Sequence, residues 1–226
     1  MILSKLFNRY FKEKDFIKLS SERLKEFGFS YHNTIAGVCL CRDEICQSVL
    51  PEIRKYWGVF FNFSSFAGVY ISGQIGLKVF LSHLPEVKEK RSVLYLLTHI
   101  GIDKDGNLGF CKRKGIEKST ACGALILFLN TLSKSDKEEE DPELNLVNQK
   151  LKREISDKIP DLMELTKIAL RISFNEIEKT MDVLAKADEI TYAIVSGIQV
   201  HYLDKNYVVP MDSFIFIDNK KINLEF

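Results

Sequence analysis

Three apolar runs of strand length divide this chain: Thr34–Leu40, Ser92–Leu97 and Ile190–Val200. Runs that short and that continuously apolar suit strands buried inside a helix-covered sheet. Residues of a different chemistry follow each run: Cys41 and Asp43 after the first, His99 after the second, and His201, which reads as structural or exposed, after the third. The segments between them have helical spacing, over Glu44–Trp57, about Gly73–His83, Gly123–Leu132, Glu143–Lys158 and Asp161–Ala187. Pro51 falls inside the first of these and predicts a kink or broken turn. Phe60–Phe63 and Phe214–Ile217 read as further short strands, and Asp103–Asn107 as a hairpin-type turn. Strands alternating with helices predict an α/β sheet covered by helices. In such sheets ligands gather at the carboxyl ends of the strands.

A chain of 226 residues suits one domain with a full-sized core. Residues 1–28 are expected to form an N-terminal helical segment, broken at Ser20–Ser21 and ended by Gly28. Residues 29–226 are expected to form a single α/β domain, with a charged loop near 133–143. Met1–Phe16 is basic and partly amphipathic, which suits a helix docked on the domain, with a targeting or surface-lying helix as the alternative.

With 32 basic and 31 acidic residues the net charge is +1, and no basic stripe points to nucleic acid. No apolar stretch is long enough for an integral membrane segment. Five cysteines, an odd number with three clustered at 39, 41 and 46, suit free thiols in a reducing compartment. The expected location is cytoplasmic, with organellar targeting by the N-terminus left open. The glycines between 64 and 84 are too irregular for a dinucleotide-binding fingerprint. Cys39 and Cys41 do not form a Cys-x-x-Cys redox pair.

Cys41, His99 and Cys122 each lie near a strand end or a helix start. Their wide spacing does not match a zinc finger, whose ligand pairs lie close in sequence. It suits a catalytic site that draws one ligand from each of several strand ends. Two thiolates and one imidazole would leave a fourth coordination position open. Taken alone, Cys41 reads as readily as a buried free thiol.

Five segments occur in order: Gly-Val-Cys-Leu-Cys-Arg-Asp-Glu (37–44), Phe-Ser-Ser-Phe-Ala-Gly (63–68), Leu-Ser-His-Leu-Pro (81–85), Thr-His-Ile-Gly-Ile-Asp (98–103) and Ser-Thr-Ala-Cys-Gly-Ala-Leu (119–125). Together they resemble the low-CO2-inducible B/C family, the theta-class carbonic anhydrases. The resemblance covers roughly residues 25–217, and Val-Ser-Gly-Ile-Gln-Val-His (195–201) extends it. It implies a central mixed, largely parallel sheet flanked by helices, similar to beta-class carbonic anhydrases. It also implies Zn2+ held by Cys41, His99 and Cys122, with Asp43 as the acidic partner, and a homodimer.

The activity implied is reversible hydration of carbon dioxide to bicarbonate by a zinc-bound hydroxide. The alternative is a catalytically silent zinc-binding member that acts as a binding or regulatory subunit in inorganic-carbon handling. A zinc hydrolase for another small substrate lacks a supporting motif. The beta class carries Cys-x-Asp-x-Arg, and position 45 here is Ile45. The arginine beside Asp43 must then come from elsewhere. Arg91, ahead of the strand that delivers His99, is the first choice, with Arg42 and Arg54 open. His83 is the candidate proton shuttle, with a plain backbone hydrogen bond as its bland role. Phe63, Phe66 and Leu81 are candidates for an apolar substrate pocket.

Overall fold

A computed structural model of the chain describes residues 2–132, 141–156 and 158–226. Most of the charged segment expected near 133–143 lies outside the described residues. The first half of the chain forms α1 (Ile2–Leu6), β1 (Phe11–Lys12), α2 (Glu13–Lys25), β2 (Thr34–Leu40), α3 (Leu50–Trp57), β3 (Phe60–Asn62), α4 (Gly73–Leu81) and β4 (Arg91–Ile102). The second half forms β5 (Phe110–Arg113), β6 (Ile116–Thr120), α5 (Gly123–Leu132), α6 (Pro142–Glu154), α7 (Leu162–Ala187), β7 (Thr191–Tyr202), β8 (Lys205–Pro210), β9 (Phe214–Ile217) and β10 (Lys220–Asn223).

Eight strands make one mixed sheet in the order β1-β8-β7-β4-β2-β3, with β9 paired to β7 and β10 to β9. Its centre is parallel: β3, β2, β4 and β7 all run the same way. β8, β9 and β1 join antiparallel. β5 and β6 form a separate antiparallel hairpin. The expected α/β architecture is therefore present.

Every residue of β4 is buried, because helices cover both faces of this central strand. Side chains alternate in direction along a strand. Leu94, Leu96 and Ile100 accordingly join one core cluster with Leu170, Ile177 and Met181 of α7. Val93, Tyr95 and Leu97 join the opposite cluster with Phe16, Ile17 and Leu24 of α2 and Ile53 and Trp57 of α3. Fully burying one such side chain contributes roughly 1.5–3 kcal/mol before entropy is counted. Asp141 and Asp161 cap α6 and α7, accepting from Leu144 N and Glu164 N at 2.8 Å each.

The N-terminal expectations change in detail. Ser20 and Ser21 do not break the helix; both lie buried inside α2. Their hydroxyls stand 3.3 and 3.4 Å from Tyr95 Oη, and Trp57 Nε1 donates to the same oxygen at 3.0 Å. A serine that points inward to a buried partner has no reason to cap. Between α1 and α2 the chain is extended, and β1 pairs with β8. The predicted helix Glu44–Trp57 is split at Leu50 into a 3-10 stretch, Glu44–Val49, and α3, with Pro51 in the first turn of α3. The second apolar run extends to Ile102, so His99 lies within β4 rather than beyond it.

Tyr95→Phe deletes the shared hydroxyl and leaves Trp57 Nε1 without its partner in a dry core. The expected cost is about 1–3 kcal/mol. It should appear as a lower urea midpoint at unchanged m value.

Candidate metal centre

The site forms where β2 and β4 approach their carboxyl ends. Cys41 follows directly on β2 and makes an isolated bridge to Ser65. Gly68 lets the 66–69 turn close over it: its φ is +70°, and a Cβ there would stand 3.1 Å from Leu97 O and 3.2 Å from Cys41 N. Cys122 is delivered from the other side. Ala121 N donates to Gly109 O at 2.9 Å and Gly101 N donates to Ala121 O at 3.2 Å, which pins this segment to the end of β4. Gly101 has no room for a side chain, since a Cβ would meet Phe110 O at 2.5 Å. The small residues noted in the sequence thus permit close backbone approach.

Cys41, His99 and Cys122 present ligand atoms that all lie within 4.8 Å of one another, and all three residues are buried. The two sulfurs are 3.7 Å apart. Both ring nitrogens of His99 are buried and meet no hydrogen-bond partner among the described residues. Buried polar atoms are rarely left so, and metal coordination would supply what is missing. Two thiols and an imidazole make a donor set suited to zinc. Hydrogen bonds from Cys122 and then Cys46 hold the Cys41 thiol well below its ordinary pKa, against burial. The hydrogen bond to Cys41, together with burial, pushes Cys122 up.

Asp43 Oδ2 lies 4.0 Å from His99 Nε2. Its partner is Arg113, which donates through Nη1 to Oδ1 and through Nη2 to Oδ2, both at 2.8 Å. Arg113 stands at the end of β5, also bonds Glu44, and is braced by Thr120 O at 2.9 Å. Burial would push the Asp43 carboxyl up; the Arg113 hydrogen bonds and the charges of His99 and Arg113 outweigh it and hold the group below the usual range. Asp43 also accepts from Ile45 N at 3.4 Å as a cap of the 3-10 stretch.

Arg91 is not brought to Asp43. It begins β4, and eight residues at about 3.3 Å each put its backbone roughly 26 Å from His99. Its guanidinium pairs with Glu89 at 2.9 Å and lies 5.8 Å from the Phe29 ring. Arg42 pairs with Glu143 at 2.9 Å, and Arg54 lies over Phe60. His83 follows α4 on the side where β4 begins; it is exposed, beside Phe61, with Nδ1 2.7 Å from Val79 O. Of the pocket candidates, Phe66 packs with the cluster holding Cys41 and Cys122. Phe63 and Leu81 belong to the α7-side core.

Four residues beside the site were not singled out for it in the sequence: Arg113, Cys46, Gln199 and His201. In the parallel β4–β7 register His99 faces Gln199 and Gly101 faces His201. His201 lies 5.3 Å from His99, ring to ring, and is 3% exposed. Burial and then the nearby His99 charge push its pKa down to about 4. Gln199 Nε2 donates to Glu13 Oε2 at 2.9 Å and to Cys46 O at 3.3 Å. Glu13 belongs to α2, so the N-terminal segment reaches the flank of the site. The signal for His201 was its place after an apolar run, as for His99. Nothing in the spacing marks Arg113.

An α/β sheet that gathers two buried cysteines and a buried histidine, with an arginine-locked aspartate beside them, defines a candidate metal centre of the beta-carbonic-anhydrase type. The family described as limiting CO2-inducible proteins B/C beta carbonic anhydrases matches residues 10–219, and the chain belongs to it. The crystal structure of limiting CO2-inducible protein LCIB is similar at TM-score 0.80 and 28% identity, over 98% of this chain and 96% of that one. PtLCIB4, a homolog of LCIB, shares the fold at TM-score 0.83 and 19% identity, over 98% of both chains. No curated protein matches the chain. Among the described residues no helix is long and apolar enough to cross a membrane.

Burial raises the Glu13 carboxyl above its ordinary value, and hydrogen bonds from Gln199 and Ser48 offset only part of this. The native state then keeps a proton that the unfolded chain has lost. Stability therefore falls as pH rises from the unfolded value, about 4.3, through the raised folded value. Glu13→Gln is expected to gain stability over the parent chain on going from about pH 4 to about pH 7. Urea midpoints at the two pH values check it, and a constant difference would contradict it.

Proposed function

We propose that the protein catalyses reversible hydration of carbon dioxide to bicarbonate, with Zn2+ held by Cys41, His99 and Cys122. The observation that carries this reading is the buried Cys-His-Cys set with Asp43, clamped by Arg113, alongside it. Bound zinc supplies Lewis acidity that lets a water molecule lose its proton near neutral pH, the chemistry for which carbonic anhydrases are the general example.

The protein's own residues supply direction and surroundings. Asp43, kept ionised, can only accept hydrogen bonds. It accepts one from the nucleophilic oxygen and so turns that oxygen's lone pair toward the carbon of carbon dioxide. Arg113 fixes both carboxylate oxygens, so Asp43 stays anionic and is held off the metal. Phe66, Ala67 and Val69 give the cysteine side of the site an apolar wall, which suits a small apolar substrate. Carbon dioxide and bicarbonate are the small-molecule partners in this reading, and the chain works as a homodimer, which sedimentation velocity tests. Ile45, in place of an arginine, kept the silent binding subunit open as the alternative; Arg113 offers a guanidinium to Asp43 from another strand.

Stopped-flow assay of zinc-loaded protein is expected to show hydration well above the buffer rate. Asp43→Ala should abolish it with zinc retained. Arg113→Ala should lower it about 100-fold or more, the scale of losing an electrostatic positioning group. Arg91→Ala should leave the rate near that of the parent chain. Cys122→Ser should lose a zinc ion that the parent retains. A fully zinc-loaded protein inert from mildly acidic to alkaline pH would leave the binding-subunit reading in its place.

A further inference from the structure

The buried donors do not end at Cys41, His99 and Cys122. Cys46, His99 and His201 form a second triad whose ligand atoms also lie within 4.8 Å of one another, all buried. Cys46 Sγ stands 3.9 Å from His201 Nε2. A chain of hydrogen bonds decides what that nitrogen carries. Ser48 Oγ is within reach of Glu13 Oε2 at 3.1 Å and Ile45 O at 3.2 Å, both acceptors. Its proton goes to one of them, and its oxygen then accepts from Asn206 Nδ2 at 2.8 Å. That orientation turns Asn206 Oδ1 toward His201 Nδ1, 2.9 Å away. An amide oxygen only accepts, so Nδ1 bears the hydrogen and Nε2 directs a lone pair at Cys46. Metal-ligating histidines are characteristically fixed this way, through the ring nitrogen that does not bind.

His99 can serve both triads. Both of its nitrogens are buried and, among the described residues, without a hydrogen-bond partner, and one suffices for the Cys41–Cys122 side. We propose that Cys46, His201 and the second nitrogen of His99 form a second metal position, for Zn2+ or a similar first-row divalent ion, bridged to the first through the His99 imidazole. One thiolate and two imidazole nitrogens are an apt donor set for such an ion. Binding releases the Cys46 thiol proton and the remaining His99 ring proton to solvent. One divalent cation thus replaces two protons, and the buried net charge is unchanged. A surface cavity of about 440 Å³, lined in part by Ser48, His201 and Asn206, gives a route in. The position goes beyond the proposed carbonic anhydrase site; His99 is the ligand they share, and Cys46 borders Cys41.

The test is metal stoichiometry of the full chain. Metal-free protein is titrated with Zn2+ against a chromophoric chelator, and bound metal is counted by plasma mass spectrometry. The parent chain is expected to take two zinc ions, and Cys46→Ser and His201→Gln one each. The double variant Cys41→Ser/Cys122→Ser should keep one ion, lost when Cys46→Ser is added. Asn206→Ala, which removes the partner of His201 Nδ1 but no ligand atom, should weaken only the second ion, by roughly 10- to 100-fold. Circular dichroism confirms that each variant is folded. A parent chain that saturates at one ion would overturn the proposal and leave the first site intact. Two ions retained in both Cys46→Ser and His201→Gln would overturn it as well.

Discussion

His99 is fully buried with two ring nitrogens that meet no hydrogen-bond partner among the described residues, and the sheet leaves it no other place. β4 is held between β2 and β7 by parallel pairing along its length. A one-residue slip would turn Val93, Tyr95 and Leu97 out of the α2-side core together with His99. Each unsatisfied buried polar atom costs about 1–3 kcal/mol. The apolar burial of β4 outweighs that cost and holds the imidazole buried toward the carboxyl end of the strand. A buried donor without a partner is what a metal ligand looks like before the metal is counted.

The rest of the site is assembled around that strand by backbone contacts. Gly101 and Gly109 hold Ala121, which brings Cys122 to the end of β4, while Ser65 and Gly68 close on Cys41. The β5–β6 hairpin lies outside the main sheet but contributes Arg113, whose two parallel hydrogen bonds fix the plane of the Asp43 carboxylate. Position 45 is filled by an isoleucine that packs beside the Cys41–Cys122 cluster. The charge partner of Asp43 comes from this hairpin instead.

The N-terminal segment belongs to this arrangement as well. α2 supplies Phe16, Ile17 and Leu24 to the core under the sheet, and Glu13, in its first turn, accepts from both Ser48 and Gln199. Gln199 then bonds the Cys46 carbonyl. Displacing α2 would unfasten a buried hydrogen-bond network that ends at His201, so helix docking and site geometry are linked.

The layer structure and the candidate metal ligands were legible in the sequence. Continuous apolar runs specify strands buried on both faces, and 3.6-residue periodicity specifies the helices that bury them. Both signals are local, which is why β2, β4, β7, α5 and α7 were legible. Cys41, His99 and Cys122 were legible because they sit where those signals stop, in short segments that resemble a known family. Only the tertiary structure decided Arg113, Cys46, Gln199 and His201. Arg113 meets Asp43 through a hairpin whose direction no spacing encodes. Gln199 and His201 come beside His99 through the β4–β7 register, a pairing of segments about a hundred residues apart that exists only once the sheet has formed, and Cys46 reaches them from the 3-10 stretch. Arg91 shows the same limit from the other side. It is near His99 along the chain, but an extended strand carries the two residues to opposite ends of the sheet.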